Sequence, residues 1–198
     1  MKIIERIREI ITNPKMAWQA IKDESLDIKQ LFINYAAPLA LIPSVCSLIG
    51  ITIIGIRLPA GDVVRAPFIE ALIGGIAGYA LNLLAVFAVA WIVKLLAPPF
   101  GAKADLASAV KIVVYSMTPV WLVGIFSLIP GLGILSILGL YGIFLLGQGL
   151  KIVLDTPPNK LILYTISVLV CGLVVSFILS LIIISTFYAP MFMRMLAV

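Results

Sequence analysis

The sequence predicts an all-α, polytopic membrane protein with five transmembrane helices preceded by short amphipathic N-terminal helices. Three observations lead to this fold class. Hydrophobic residues make up 63% of the chain and charged residues only 12%, with a mean hydropathy of +1.21, a composition that excludes a soluble domain. Several apolar runs are long enough to cross a bilayer. Proline and glycine clusters separate these runs, as expected where one helix ends and another begins.

The longest of these runs, from Ile112 to Leu150, contains no charged side chain. As one helix it would be about twice as long as a hydrocarbon core of ~30 Å, so it must break. The break coincides with Pro130-Gly131-Leu132-Gly133, where a missing amide donor and two permissive backbones end a helix. We therefore predict a transmembrane hairpin whose turn is formed by Pro130, Gly131 and Gly133.

The N-terminal residues have the spacing of amphipathic helices. In the first twelve residues one helical face is apolar and consists of Ile3, Ile7, Ile10 and Ile11. The opposite face is polar and consists of Lys2, Arg6 and Glu9. A second helix is predicted to start with Asn13 as its cap and Pro14 at its first position, and to carry Trp18 on its apolar face.

Residues 1–30 are predicted to form a cytoplasmic amphipathic interfacial segment. They hold six Lys/Arg against five Asp/Glu, so attraction to anionic lipid is weak, and the apolar faces with Trp18 must hold the segment at the membrane. The alternative is that these helices pack on the cytoplasmic ends of the spans.

Residues 31–198 are predicted to form the membrane domain, with approximate spans at 34–56, 68–97, 106–130, 133–154 and 161–188. Pro38 and Pro43 should bend the first span, and Asp105 should cap the third. A stripe of small residues in the second span, Ala71, Gly74, Gly75 and Gly78, allows close helix approach, within the bundle or as a dimer contact. The competing span count makes the fourth segment re-entrant.

The distribution of basic residues predicts a cytoplasmic N-terminus and an outer C-terminus in the cell (inner or plasma) membrane. With this topology the inner segments carry eleven Lys/Arg and the outer segments only Arg57, Arg65 and Arg194, the asymmetry that inner loops show. The basic residues are dispersed rather than clustered, so no nucleic-acid partner is predicted. Membrane lipids, other copies of the chain and other membrane proteins are the expected partners.

The order of several short motifs resembles that of the Yip family, the Ypt/Rab-interacting integral membrane proteins and their prokaryotic relatives. These motifs are Pro14-x-x-x-Trp18, Asn34-Tyr35-Ala36-Ala37-Pro38 and Tyr115-Ser116-Met117-Thr118-Pro119. Pro38, Tyr115 and Pro119 match positions of the eukaryotic motifs. The chain departs from these motifs at Asn34, Ala37 and Val114, which stand where Asp and two glycines would be. The long cytosolic N-terminal domain is also reduced to about thirty residues. These departures argue against GTPase binding.

The resemblance implies a cytosolic N-terminus, five spans and a role in trafficking or membrane shape through partners. Tyr115 and Pro119 share a helix face, and the carbonyl that Pro119 leaves without a donor belongs to Tyr115. The resulting bend has two possible roles. It serves helix packing alone, or it forms a hinge or a polar lining beside Pro38 and Pro43.

The remaining candidates for function are polar residues in apolar surroundings: Asn34, Asn82, Ser116, Thr118 and Gln148. They either bond neighbouring helices or line a path for a ligand. The chain has no histidine, no phosphate loop and no nucleophile elbow, which argues against an enzyme and against any metal or cofactor. Two hypotheses follow: a non-catalytic membrane organiser or partner-binding protein, or a small transporter, channel or lipid-handling protein.

Overall fold

The computed structural model describes residues 3–25, 27–57, 63–129, 131–190 and 193, and within them the prediction of an all-α membrane protein is confirmed. Five helical segments are long and apolar enough to cross a bilayer, judged by length and composition, and we call them spans 1 to 5: Ile28–Ile54, Phe68–Leu96, Leu106–Leu128, Ile134–Val153 and Pro158–Tyr188. Span 1 therefore starts about two turns before the predicted boundary, and span 5 starts at Pro158, where a missing amide donor is harmless.

Two helices precede the spans, α1 (Ile3–Thr12) and α2 (Pro14–Asp23). Pro14 occupies the first helical position as predicted. Asn13 occupies the N-cap position as predicted, and its carbonyl accepts from the Ala17 N–H at 3.0 Å. Its side chain makes no capping hydrogen bond, and the side-chain amide nitrogen lies 3.0 Å from the sulfur of Met16 instead.

Span 1 is irregular on both sides of its central α-helix, Ala37–Ile49. A short α-helical turn, Ile28–Leu31, leads into a π-helical turn, Phe32–Ala36, directly before Pro38, and a second π-helical turn, Gly50–Ile54, ends the span. Since proline cannot donate to the carbonyl four residues back, a local change of helix type near Pro38 is the expected response.

A two-stranded antiparallel hairpin lies between spans 1 and 2, where the all-α prediction includes no strand. Strand β1 (Ile56–Arg57) pairs with β2 (Val63–Val64), with Ile56 opposite Val64. Arg65 fixes the hairpin to span 1, because its Nε donates to the carbonyl of Ile53 at 2.8 Å. Strands of two residues each are too short a pattern to be identified from sequence.

Spans 3 and 4 pack against each other as a hairpin. Span 3 consists of an α-helix Leu106–Ser116, a break at Met117, an α-helix Thr118–Val123 and a 3₁₀ helix Gly124–Leu128. Span 4 continues from a 3₁₀ helix, Leu132–Leu140, into an α-helix, Tyr141–Val153. Gly131 supplies the turn with a φ of +110°, a conformation that glycine adopts readily. Gly133 lies in the 3₁₀ helix, and Pro130 lies outside the described residues.

Asp105 caps the start of span 3, since its carboxylate accepts a hydrogen bond from the backbone N–H of Ser108 at 3.1 Å. The same interaction with Ser108 lowers the pKa of this carboxyl group.

In the half of the bundle opposite α1 and α2, the helices approach each other closely at small residues. A Cβ at Gly50 would lie 2.5 Å from the carbonyl oxygen of Ser127, and one at Gly124 would lie 2.5 Å from the Cβ of Pro43, so spans 1 and 3 need both glycines. The small stripe of span 2 faces the end of span 5 within the same chain: a Cβ at Gly74 would meet Phe187 at 3.5 Å.

Several large buried side chains gather where α1 and α2 meet the start of span 3 and the end of span 4. Trp18, Ile10, Ile21, Ile112 and Leu150 are all fully buried there. In the described parts of spans 3 and 4 and their turn, exposed large apolar side chains occur only between Val120 and Phe144, whereas spans 1, 2 and 5 expose them along most of their length. Helices α1 and α2 therefore cover the first half of span 3 and the last part of span 4.

Candidate functional site

The contact between the N-terminal helices and the bundle centres on Arg6, which is 4% exposed. Its guanidinium group pairs with the carboxylate of Glu24 beyond the end of α2 and lies 3.4 Å from that of Glu9. The same group lies 5.7 Å from the ring centroid of Tyr115 in span 3, within the range of a cation–π interaction. Arg6 thus joins α1, the end of α2 and span 3.

Lys111 of span 3 is a second buried cation at this contact, 6% exposed. Its ammonium group donates to the backbone carbonyl of Ile21 at 3.1 Å and to the carbonyl of Glu24. These are the carbonyls at the C-terminal end of α2, where a positive charge also complements the helix dipole. Lys22 adds an ion pair with Asp155, at 2.6 Å, between α2 and the segment after span 4.

Trp18 packs into the bundle and does not face lipid, because its side chain is completely buried. Its ring meets Tyr115 edge to face, with centroids 6.2 Å apart, and lies so close to Gly149 that a Cβ there would be 3.0 Å from the indole. The geometry therefore favours the alternative that α1 and α2 pack on the spans over the prediction that Trp18 anchors them at the lipid interface.

Tyr115, one of the three motif positions, lies at the centre of these contacts. Besides Arg6 and Trp18 it touches Tyr35 of span 1, with ring centroids 4.8 Å apart, and the Tyr35 hydroxyl shares a 2.9 Å hydrogen bond with Thr118. Pro119 is buried and lies two residues after the helix break at Met117. Pro38 is exposed on span 1, so the structure does not bring all three motif positions into one site.

The five candidate polar residues do not form one cluster in the structure. Asn82 accepts a 3.2 Å hydrogen bond from the indole N–H of Trp121, and Thr118 is bonded to Tyr35. Asn34 is exposed and Gln148 is half-buried. Asn82 and Ser116 line one crevice, and the other three are not part of its lining among the described residues.

That cavity is a crevice of about 480 Å³ between spans 2, 3, 4 and 5, within the range of small-molecule sites. Most of its lining is apolar, and the polar exceptions are Asn82, Ser116, Ser136 and Ser176. Within the described residues no group of His, Cys, Asp and Glu could hold a metal ion, and Cys46 and Cys171 are both free thiols.

The sequence analysis missed the roles of Arg6 and Lys111. It placed Arg6 on the polar face of the first helix and counted Lys111 among the basic residues of the inner segments. Their partners lie 18 residues away for Arg6 and about 90 away for Lys111, so no local pattern could indicate these contacts. A charged residue close to an otherwise apolar span was the only available signal.

Comparisons with known proteins agree with this architecture. The family model described as the Yip1 domain matches residues 8–195. The chain is 23% identical over 170 residues to the inner membrane protein YohC of Escherichia coli strain K12, with 84% of this chain and 87% of that protein covered. YohC of E. coli O6:H1 strain CFT073 gives the same figures. No solved structure matches the chain.

Proposed function

The chain belongs to the Yip1 domain family, and from this premise we propose that it is a non-catalytic membrane protein that binds protein partners through its docked N-terminal helices. One relative, YohC of Escherichia coli, is an inner membrane protein, in agreement with the five apolar spans. The proposal assigns the spans to anchoring and the helices α1 and α2 to recognition.

We place α1 and α2 on the cytoplasmic side. The end of the bundle that carries them also carries Lys94, Lys103, Lys111, Lys151 and Lys160, whereas the opposite connections carry Arg57 and Arg65. Inner segments of membrane proteins are enriched in Lys and Arg in this way.

The observation that supports the proposal is the outward face of α1 and α2. Their inner faces are held by buried cations and Trp18, which gives the pair a defined geometry. Outward they present a groove of about 450 Å³ lined mainly by polar and charged side chains: Glu5, Arg8, Glu9, Thr12, Asn13, Met16, Ala17 and Ala20. A fixed groove with both charges and an apolar methionine suits a protein segment, because binding then costs little reorganisation.

The transporter alternative has less support. It requires a polar path, whereas Thr118 and the amide oxygen of Asn82 are taken by neighbouring helices and the crevice is mostly apolar. No Asp or Glu lies in the middle of the described spans, where an ion-coupled transporter normally holds one. The crevice instead suits an apolar molecule.

The proposal is tested by crosslinking and affinity capture from native membranes with a groove variant, Arg8→Glu combined with Met16→Ala. Both side chains are exposed, so the fold should be retained. Disrupting two central contacts is expected to reduce the recovery of a specific protein partner about tenfold or more.

The matched control is Lys103→Glu combined with Lys151→Ala, since both lysines are exposed at the same end of the bundle and neither lines the groove. The control should capture partners as the wild type does. Equal recovery from the wild type and the groove variant, or no specific protein from either, would contradict the proposed function.

A further inference from the structure

The lipid-facing surface of spans 3 and 4 is shorter than that of span 5. In the described parts of spans 3 and 4 and their turn, the large exposed apolar side chains all lie between Val120 and Phe144, a surface that we call the hairpin face. From Gly131 in the turn to Phe144, the 3₁₀ helix and the first α-helical turn of span 4 rise by about 24 Å. On span 5, exposed apolar side chains extend from Ile162 to Ile184, over about 33 Å. A hydrocarbon core is about 30 Å thick, so span 5 matches it and the hairpin face does not.

The inner limit of the hairpin face is set by the N-terminal helices. The Tyr141 hydroxyl donates to the carbonyl of Ile11 at 3.1 Å, which holds the turn between α1 and α2 at the start of the α-helix of span 4. This level lies about 18 Å before the end of that helix at Val153. Arg8 and Glu9 are exposed on α1 within one helical turn of Ile11, and charged side chains are costly in hydrocarbon. The inner polar surface of the bilayer is therefore expected near Tyr141 on this side of the protein.

The outer limit of the hairpin face is the turn between spans 3 and 4, which ends before span 1 does. A Cβ at Gly50 would lie 2.5 Å from the carbonyl oxygen of Ser127, so the last turn of span 3 is level with Gly50. Span 1 continues from there for another helical turn, to Ile54. Gly131 in the turn is exposed and has a φ of +110°. Irregular backbone that faces lipid does not occur within the hydrocarbon, because its N–H and C=O groups need polar partners. The turn is therefore expected at the outer polar surface of the bilayer.

We propose that the hairpin face thins the adjoining bilayer and that its preferred partners are phospholipids with short acyl chains. The levels of Tyr141 and Gly131 place the two polar surfaces roughly 20 to 24 Å apart at this face. A bilayer adapts to a short apolar surface by thinning, and shorter acyl chains fill the thinned region with less compression. This proposal concerns a lipid contact and does not use the protein partner of the groove on α1 and α2, so either proposal can fail without the other.

Spin labels at the two limits of the hairpin face test the thinning. Thr12→Cys and Leu132→Cys, both at exposed positions, are combined in a chain whose Cys46 and Cys171 are replaced by alanine. In dioleoylphosphatidylcholine vesicles, both labels should be accessible to a water-soluble nickel complex, and electron–electron resonance should place them about 25 Å apart.

The matched pair on span 5 is Ile162→Cys with Ile184→Cys, whose labels should lie about 33 Å apart. A Leu132 label that oxygen reaches and the nickel complex does not would mean that lipid covers the turn, and this result would overturn the proposal. A label distance at the hairpin face equal to that of the span 5 pair would overturn it as well.

The lipid preference is tested with Ile137→Trp, since Ile137 is 62% exposed in the middle of the hairpin face. The variant is reconstituted in equimolar dimyristoleoyl- and dioleoylphosphatidylcholine, with one or the other lipid brominated, and the wild-type fluorescence is subtracted. The brominated short-chain lipid should quench the added tryptophan about twofold or more better than the long-chain one. Val170→Trp, at a 53% exposed position of span 5, should be quenched equally by both lipids. Equal quenching at Ile137, or the same preference at Val170, would overturn the proposal.

Discussion

Replacing Arg6 with alanine is expected to detach α1 and α2 from the bundle while the spans stay folded. The change leaves the Glu24 carboxylate without its buried partner and removes the cation over the Tyr115 ring. Loss of one member of a buried ion pair lowers folding stability by roughly 3–5 kcal/mol. We expect a loss of about 3 kcal/mol here, because a third of the Glu24 side chain is exposed. Limited proteolysis of the purified protein should show faster cleavage before residue 28.

Arg8→Ala is the matched control, because Arg8 is on the same helix but exposed. It should leave the cleavage rate within the range of an ordinary surface substitution, about 0.5 kcal/mol in stability. If Arg6→Ala and Arg8→Ala behave alike, the ion pair with Glu24 does not hold the helices in place.

Trp18→Ala should give the other large effect. The side chain is completely buried against Tyr115 and Gly149, and truncation of a buried tryptophan costs about 3–5 kcal/mol of stability through lost burial and the remaining cavity. Thermal unfolding in detergent should show a clearly lower Tm, and the cleavage pattern should resemble that of Arg6→Ala.

Trp91→Ala provides the comparison for the same residue type, since Trp91 is 41% exposed on span 2. Its effect on Tm in detergent should be small. A larger loss of stability at Trp91 than at Trp18 would mean that the N-terminal helices do not form part of the core.

The sequence alone predicted the spans and both N-terminal helices, since these depend on hydrophobic run length and helical spacing. It could not decide what covers the apolar face of Ile10 and Trp18, because periodicity shows that a face is apolar and leaves open whether lipid or protein lies against it. Nor could it show that the hairpin of spans 3 and 4 has 3₁₀ helices on both sides of its turn, since Gly124 and Gly139 fit several helix types.

The candidate sites were only partly predictable for a similar reason. Asn82 and Ser116 were identified as polar residues in apolar spans, but their common crevice depends on how four spans pack. Tyr115 was singled out by its motif with Pro119, and its contacts with Arg6, Trp18 and Tyr35 join segments far apart in the chain. Such contacts leave no local pattern in a single sequence.

Hydrogen exchange of the wild-type chain in nanodiscs tests most directly whether α1 and α2 form a fixed part of the bundle. The account predicts that the amides from Ile10 to Ile21 exchange as slowly as those at the start of span 3, and that Arg6→Ala removes this protection. Rapid exchange of these amides in the wild type, with slow exchange confined to the spans, would contradict it.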